Sequence, residues 1–301
     1  MNRFSHVATL IAARRSGLDA ESLAPAQGLL PRAGEPVWLD PGAAADIPFN
    51  PDPPCDQRAV ADRLRALFGD RPIDVVVQKT AHRRKKLFLA DMDSTMIGQE
   101  CIDELADYVN LKSHVAAITE RAMRGEIAFE PALRERVALL KGLKSTVVAE
   151  VIARRIKLTP GGPALIATMR ANGAHTCLVS GGFTSFTAPI ATMIGFDENR
   201  GNTLLLDGDA FSGKVQEPIL GAEAKLATLR ELRQRFALAS EETLAIGDGA
   251  NDLAMIVEAG LGVAYHAKPK VAAAADARID HCDLTALLYA QGYRRDEFAA
   301  G

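Results

Sequence analysis

Four short apolar runs punctuate the chain beyond residue 86: LFLA (Leu87–Ala90), HTCLVS (175–180), ETLAIG (242–247) and GVAYH (262–266). Each has strand length, and the stretches between them carry helical apolar spacing long enough for crossover connections. Runs that are apolar throughout, rather than alternating, suit strands covered on both faces. The expected fold is α/β, a Rossmann-like and predominantly parallel sheet with helices on both sides. In such sheets ligands sit beyond the C-terminal strand ends, where the loops converge. Asp91, Ser180 and Asp248 all fall at such ends. One coincidence would mean little; three suggest a single site.

Residues 1–80 have a different texture. HVATLIA, EPVWLD, AADIPF and IDVVVQ read as strands, and DAESLAPAQGLL and DQRAVADRLRALFG as helices. The order βαββαβ predicts a small α+β unit with helices on one sheet. The basic run within residues 81–86, HRRKK, reads as a solvated linker, and residues 87–301 as the main domain. With 48% hydrophobic and 24% charged residues and a formal net charge of -3, the composition gives no reason to expect nucleic acid or an anionic membrane as partner. No apolar segment has the length of a membrane span, and ATLIA is too short for a signal core. Cys55, Cys101, Cys177 and Cys282 are scattered without zinc spacing, so free thiols in a reducing, cytoplasmic setting are expected.

Between the first two core strands lies a long helical insertion, residues 97–158, expected to form a cap. Phe129, Leu133, Val137 and Leu140 make an apolar stripe, and the spacing turns Arg136 towards it rather than away. A snorkelling arginine is the bland reading; a cap closing over an anionic ligand is the sharper one. Thr159 and Pro160 are expected to start the helix that returns to the core.

Four pieces carry the chemistry. Asp91 and Asp93 follow LFLA one residue apart; two such carboxylates repel unless a cation or a proton separates their roles. A hard divalent ion would leave Asp91 an anion and nucleophile while Asp93 handles a proton, although a surface turn explains DxD alone equally well. In CLVSGGF, the Ser180 hydroxyl and the free backbone at Gly181 and Gly182 could hold phosphoryl oxygens, or simply make a tight turn. Lys225 is an ordinary helix lysine in isolation, and an offset for aspartate and phosphate charge if it enters the cleft. In AIGDGANDLAM, a helix beginning after Asp248 would bring Asn251 and Asp252 near it, a set suited to hydrated Mg2+.

The motifs DMDST, VSGGF, Lys225 and GDGAND, in that order, resemble those of phosphoserine phosphatases in the haloacid-dehalogenase-like superfamily. The resemblance covers Leu87 through Leu288, and the front segment looks like the ACT-like regulatory or assembly domain of some bacterial members. Dehalogenases of this fold lack the second aspartate of DxD and P-type ATPases carry DKTGT, so Asp93 favours phosphate-ester hydrolysis. The resemblance implies catalytic roles for Asp91, Asp93, Ser180 and Lys225. It implies Mg2+ held by Asp91, Asp248 and the Asp93 carbonyl, with Asp252 supporting that site. It also implies that Glu100 takes the ammonium of O-phospho-L-serine and Arg136 its carboxylate. Met123 and Phe129 would surround the substrate, Gly181 and Gly182 would present backbone groups, and Asn251 would stand near the phosphate. A homodimer is implied by the ACT-like unit. The rival readings are another small-phosphoester phosphatase or phosphotransferase, and a non-catalytic Mg2+-binding sensor.

Overall fold

The computed structural model describes residues 3–13, 17–123 and 126–301, apart from the side chain of Met123. The front segment runs β1 (His6–Ala12), α1 (Ala20–Leu29), β2 (Val37–Asp40), β3 (Ala44–Phe49), α2 (Gln57–Phe68) and β4 (Ile73–Lys79). Its strands form one antiparallel sheet in the order β2-β3-β1-β4, the order of elements expected from the sequence. Period-two alternation divides the side chains between the two faces. Leu10, Ile47, Val75 and Val77 pack with Leu23, Val60, Leu64 and Phe68 from the two helices. Ile11, Ala44 and Val76 point the other way and join the main core of the chain.

Two residues of the basic run, Arg83 and Lys85, depart from the solvated reading, while His82, Arg84 and Lys86 are exposed. Lys85 is only 6% exposed; its Nζ donates to the Glu241 carbonyl at 2.8 Å, and burial pulls its pKa down to about 8. Arg83 grips both Asp46 oxygens at 2.6 Å and donates to the carbonyls of Tyr289 and Ala290. Gln78 also donates to the Ala290 carbonyl, and the Tyr289 hydroxyl to Asp40. The partners of Arg83 lie 37 to 207 residues away, so the local charge pattern could not reveal them.

The main part continues with β5 (Leu87–Ala90), α3 (Cys101–Asp107), α4 (Lys112–Met123), α5 (Phe129–Ala138), α6 (Val147–Arg154) and α7 (Gly162–Ala171). Next come β6 (His175–Phe183), α8 (Thr184–Ile194), β7 (Glu198–Asn202), the hairpin β8 (Leu204–Asp207) and β9 (Ala210–Val215), and α9 (Ala222–Arg235). The chain closes through β10 (Thr243–Gly247), α10 (Leu253–Glu258), β11 (Leu261–Tyr265), α11 (Pro269–Ala274), β12 (Ala277–Ile279) and α12 (Ala286–Ala290). A parallel sheet of six strands results, in the order β12-β11-β10-β5-β6-β7. Leu87 and Leu89 pack with Leu229 and Leu232 of α9, while Phe88 and Ala90 enter the opposite core with Ile166 and Met169 of α7. The strands are thus covered on both faces, which is why they read as continuous apolar runs.

Helices α3 to α6 form the insertion. It leaves and re-enters the sheet through an antiparallel bridge between Ile97 and Leu158. Flanking bonds run from Gly98 N to Lys157 O and from Thr159 N to Met96 O, both 3.0 Å. The returning helix starts at Gly162, not at Thr159 and Pro160. Gly161 precedes it in the left-handed region (φ 81°), where a Cβ would meet the Thr285 backbone at 2.7 Å. No helix of the described residues is long and apolar enough to cross a membrane.

Candidate active site

Asp91 is the first residue past β5, and the pairing of β5 with β10 and β6 brings Asp248 and Ser180 beside it. Its Oδ1 accepts from Met92 N at 2.7 Å and pairs with Lys225 Nζ at 2.7 Å. The chain then turns irregularly, with Ser94 left-handed at φ 56°. That turn brings Asp93 to the same cavity as Asp91. Asp93 Oδ2 accepts from Cys101 N at 3.3 Å, whereas Oδ1 is buried and has no hydrogen-bond partner.

Ser180 lies in an irregular part of β6, where the pairing with β7 slips between Val179 and Phe183. Gly182 N–H donates to Ser180 Oγ at 2.9 Å. A Cβ at Gly181 would stand 2.9 Å from the Phe129 ring, so the cap closes directly over this turn. The solvated alternative for Lys225 is excluded. It is fully buried in the first turn of α9, with Nζ 2.7 Å from Asp91 and 2.6 Å from Asp252. Asp248 follows β10 and accepts from Thr95 Oγ1 at 3.2 Å. A short turn at residues 250–252 then leads into α10. Both Asp252 oxygens are engaged, one by Lys225 and the other by Gly249 N–H.

The insertion supplies the opposite wall. Glu100 Oε1 accepts from Ser94 Oγ at 2.7 Å. Arg136 is buried, with Nε donating to the Ala132 carbonyl (3.2 Å) and Nη1 to Thr119 Oγ1 (3.0 Å). Asp103, Glu100 and Asp93 act on it through space. Together these walls enclose a cavity of about 340 Å³ lined by Asp91, Asp93, Glu100, Phe129, Arg136, Ser180, Gly181, Gly182, Asp248 and Asn251. Lys225 and Asp252 stand behind its wall, and the side chain of Met123 lies outside the described residues. Sequence reasoning missed Thr119 and Lys268, which also line the cavity. Lys268 was findable, because it follows the end of β11 as the other polar groups follow theirs.

The site holds excess negative charge. Burial, then Glu100 and Asp91, raise Asp93 well above the usual carboxylate range. Burial and Asp91 also raise Asp248, and they lift Asp252 to about 7 against the pull of Lys225. Burial pulls the Lys225 pKa down, but Asp252 and Asp91 outweigh it and hold the lysine above its ordinary value. Asp91, Asp248 and Asp252 each offer an oxygen within 4.8 Å of the others. A donor set made only of carboxylate oxygens, with too little positive charge around it, fits a hard divalent cation.

Gly247 is required by this packing, because a Cβ there would collide with the Asp252 carboxylate. Gly247→Ala is expected to lower stability by about 1–3 kcal/mol, as overpacking of a buried site does. Urea unfolding measures it; parental stability would mean that Asp252 is free to move.

The description of haloacid dehalogenase-like hydrolases matches residues 88–256. The chain is 43% identical over 217 residues to a probable phosphoserine phosphatase of Schizosaccharomyces pombe, covering 71% of this chain and 72% of that protein. It is 40% identical over 234 residues to a phosphoserine phosphatase of Archaeoglobus fulgidus, covering 77% and 68% respectively. The unliganded crystal structure of a probable phosphoserine phosphatase from Vibrio cholerae superposes with a TM-score of 0.76 at 28% identity, covering 98% of this chain and 88% of that one. The chain therefore belongs to the haloacid dehalogenase-like hydrolase family.

Proposed function

We propose that this chain is a phosphoserine phosphatase, hydrolysing O-phospho-L-serine to L-serine and phosphate, the last step of L-serine biosynthesis. The observation that carries the substrate is Arg136, a buried guanidinium with no carboxylate partner among the described residues, facing the cavity that also holds Asp91, Asp93 and Glu100. Such a group calls for an anion to fill its fork, and Glu100 on the same wall suits an ammonium.

Asp91 attacks phosphorus in line, forming a phosphoaspartate as the serine oxygen departs. Burial, then Glu100 and Asp91, raise Asp93 well above the usual carboxylate range, which favours a proton on it that its unpartnered Oδ1 can give to that oxygen. Asp93 then takes a proton from the water that hydrolyses the phosphoaspartate. Ser180 and the backbone at Gly181 and Gly182 orient the transferring oxygens, and the Lys225 charge offsets theirs from behind Asp91. Phe129 packing on Gly181 helps to exclude bulk water. Asp91, Asp248 and the Asp93 carbonyl would hold Mg2+, which supplies further charge neutralisation when bound. A cytoplasmic setting suits the four free thiols, and a homodimer belongs to the same reading, testable by sedimentation.

Arg136→Ala is expected to cut kcat/KM on phosphoserine by roughly 30- to 5,000-fold, corresponding to about 2–5 kcal/mol for a buried charge contact. Phosphoethanolamine, which lacks the carboxylate, should lose far less. Equal losses on both substrates would deny Arg136 its role. Better parental turnover of a sugar phosphate would remove the substrate assignment itself.

A further inference from the structure

One aspartate of the front sheet is bonded to a turn that leads towards the catalytic cavity. Asp74 of β4 is 2% exposed. Its Oδ1 accepts from Asp280 N (2.8 Å), and its Oδ2 from His281 N (3.2 Å) and Cys282 N (2.8 Å). A carboxylate that receives three main-chain donors fixes the turn after β12 far more tightly than apolar contact would.

The turn passes this constraint on. The Cys282 carbonyl lies 3.0 Å from His266 Nε2. A carbonyl can only accept, so Nε2 carries the proton. His266 N also donates to Ile279 O at 2.8 Å, and its ring meets Tyr265 edge-on at 4.4 Å. These contacts hold His266 at φ 43°, in the left-handed region, which is uncommon for a residue with a Cβ. Two residues on, Lys268 N donates to the Asp248 carbonyl at 3.2 Å, and Lys268 itself lines the cavity. From Asp74 to Asp248 the route is therefore main-chain hydrogen bonds, one imidazole and one strained backbone position.

We propose that Asp74 is a positioning residue for the reaction. Acting through the 280–282 turn and His266, it sets the loop that carries Lys268 and braces Asp248. The front segment is then part of the active-site architecture as well as a docked neighbour. This inference rests on the phosphatase reading above.

In the full chain, Asp74→Asn puts an amide NH2 where the donors of the turn need an acceptor. Its kcat on phosphoserine should fall by about 10- to 100-fold, the range for residues that orient a metal-side group. KM should stay near the parental value, because Glu100 and Arg136 are untouched. The Lys268 amide should exchange faster with solvent, a readout that needs neither substrate nor metal. His266→Ala should give the same pattern from a position outside the interface, which keeps the test open if Asp74→Asn folds poorly. The double variant should be no worse than the more impaired single one, as expected for residues on one route. Arg83→Ala, which loosens the docked sheet without touching the turn, should lower stability and leave kcat unchanged. Parental kcat and Lys268 protection in folded Asp74→Asn or His266→Ala would overturn the proposal. So would additive losses, or an equal fall in kcat for Arg83→Ala. A parent inactive on phosphoserine would instead sink the substrate reading, while the exchange measurement would still judge the route.

Discussion

Asp91→Asn should abolish turnover while leaving a protein at least as stable as the parent. Losing a covalent nucleophile costs on the order of 10⁴-fold or more in kcat. Stability should hold because the cavity carries surplus negative charge: Asp91 raises the pKa values of Asp93, Asp248 and Asp252. Removing it relieves that repulsion, and Asp252 still partners Lys225. Acid-quenched reactions with labelled phosphoserine should place the label on Asp91 in the parent and nowhere in the variant. Label on any other residue would sink the mechanism.

Lys225→Met should damage both stability and activity. Its ammonium is the charge bridging Asp91 and Asp252, and the packing around it is closed. Breaking a buried ion pair from one side typically costs about 3–5 kcal/mol, because the remaining charge is stranded. Loss of an electrostatic stabiliser beside the reacting oxygens should also slow kcat by about 10²- to 10³-fold. Adding Asp252→Asn should restore part of the stability, which urea unfolding reads, without restoring turnover. Parental stability in Lys225→Met would contradict the bridging role.

The reacting groups were legible because they follow buried parallel strands, and such strands announce themselves as unbroken apolar runs. The edge strands were not. Strand β7 reads ENRGN and is braced by polar contacts such as Thr187 with Asn199 and Arg200 with Glu231, while β12 is only ARI. Neither offers an apolar signal. The burial of Lys225 did leave a trace: it stands four and seven residues before Leu229 and Leu232, on the face of α9 that meets the sheet. Helix amphipathicity alone would have placed it inside. Arg83 and Asp74 left none, since each bonds to groups distant in sequence and contributes through the unexpected second face of the front sheet. Pattern reading finds which face of an element is apolar; it does not find which polar residue on the other face is clasped by a remote turn.

The bridge at Ile97 and Leu158 gives the insertion adjoining ends: the chain departs and returns at one point, so the sheet is not stretched to accommodate it. Loop closure at that point is fixed whatever lies beyond it. The groups proposed to read the small molecule, Glu100, Phe129 and Arg136, lie inside the excursion. Those proposed to break the ester, Asp91, Asp93, Ser180, Lys225 and Asp248, lie outside it. Address and reaction are therefore written in separable lengths of chain. A different excursion grafted between the same two residues would redirect one unchanged reaction to another phosphoester, rewriting the label and leaving the engine intact.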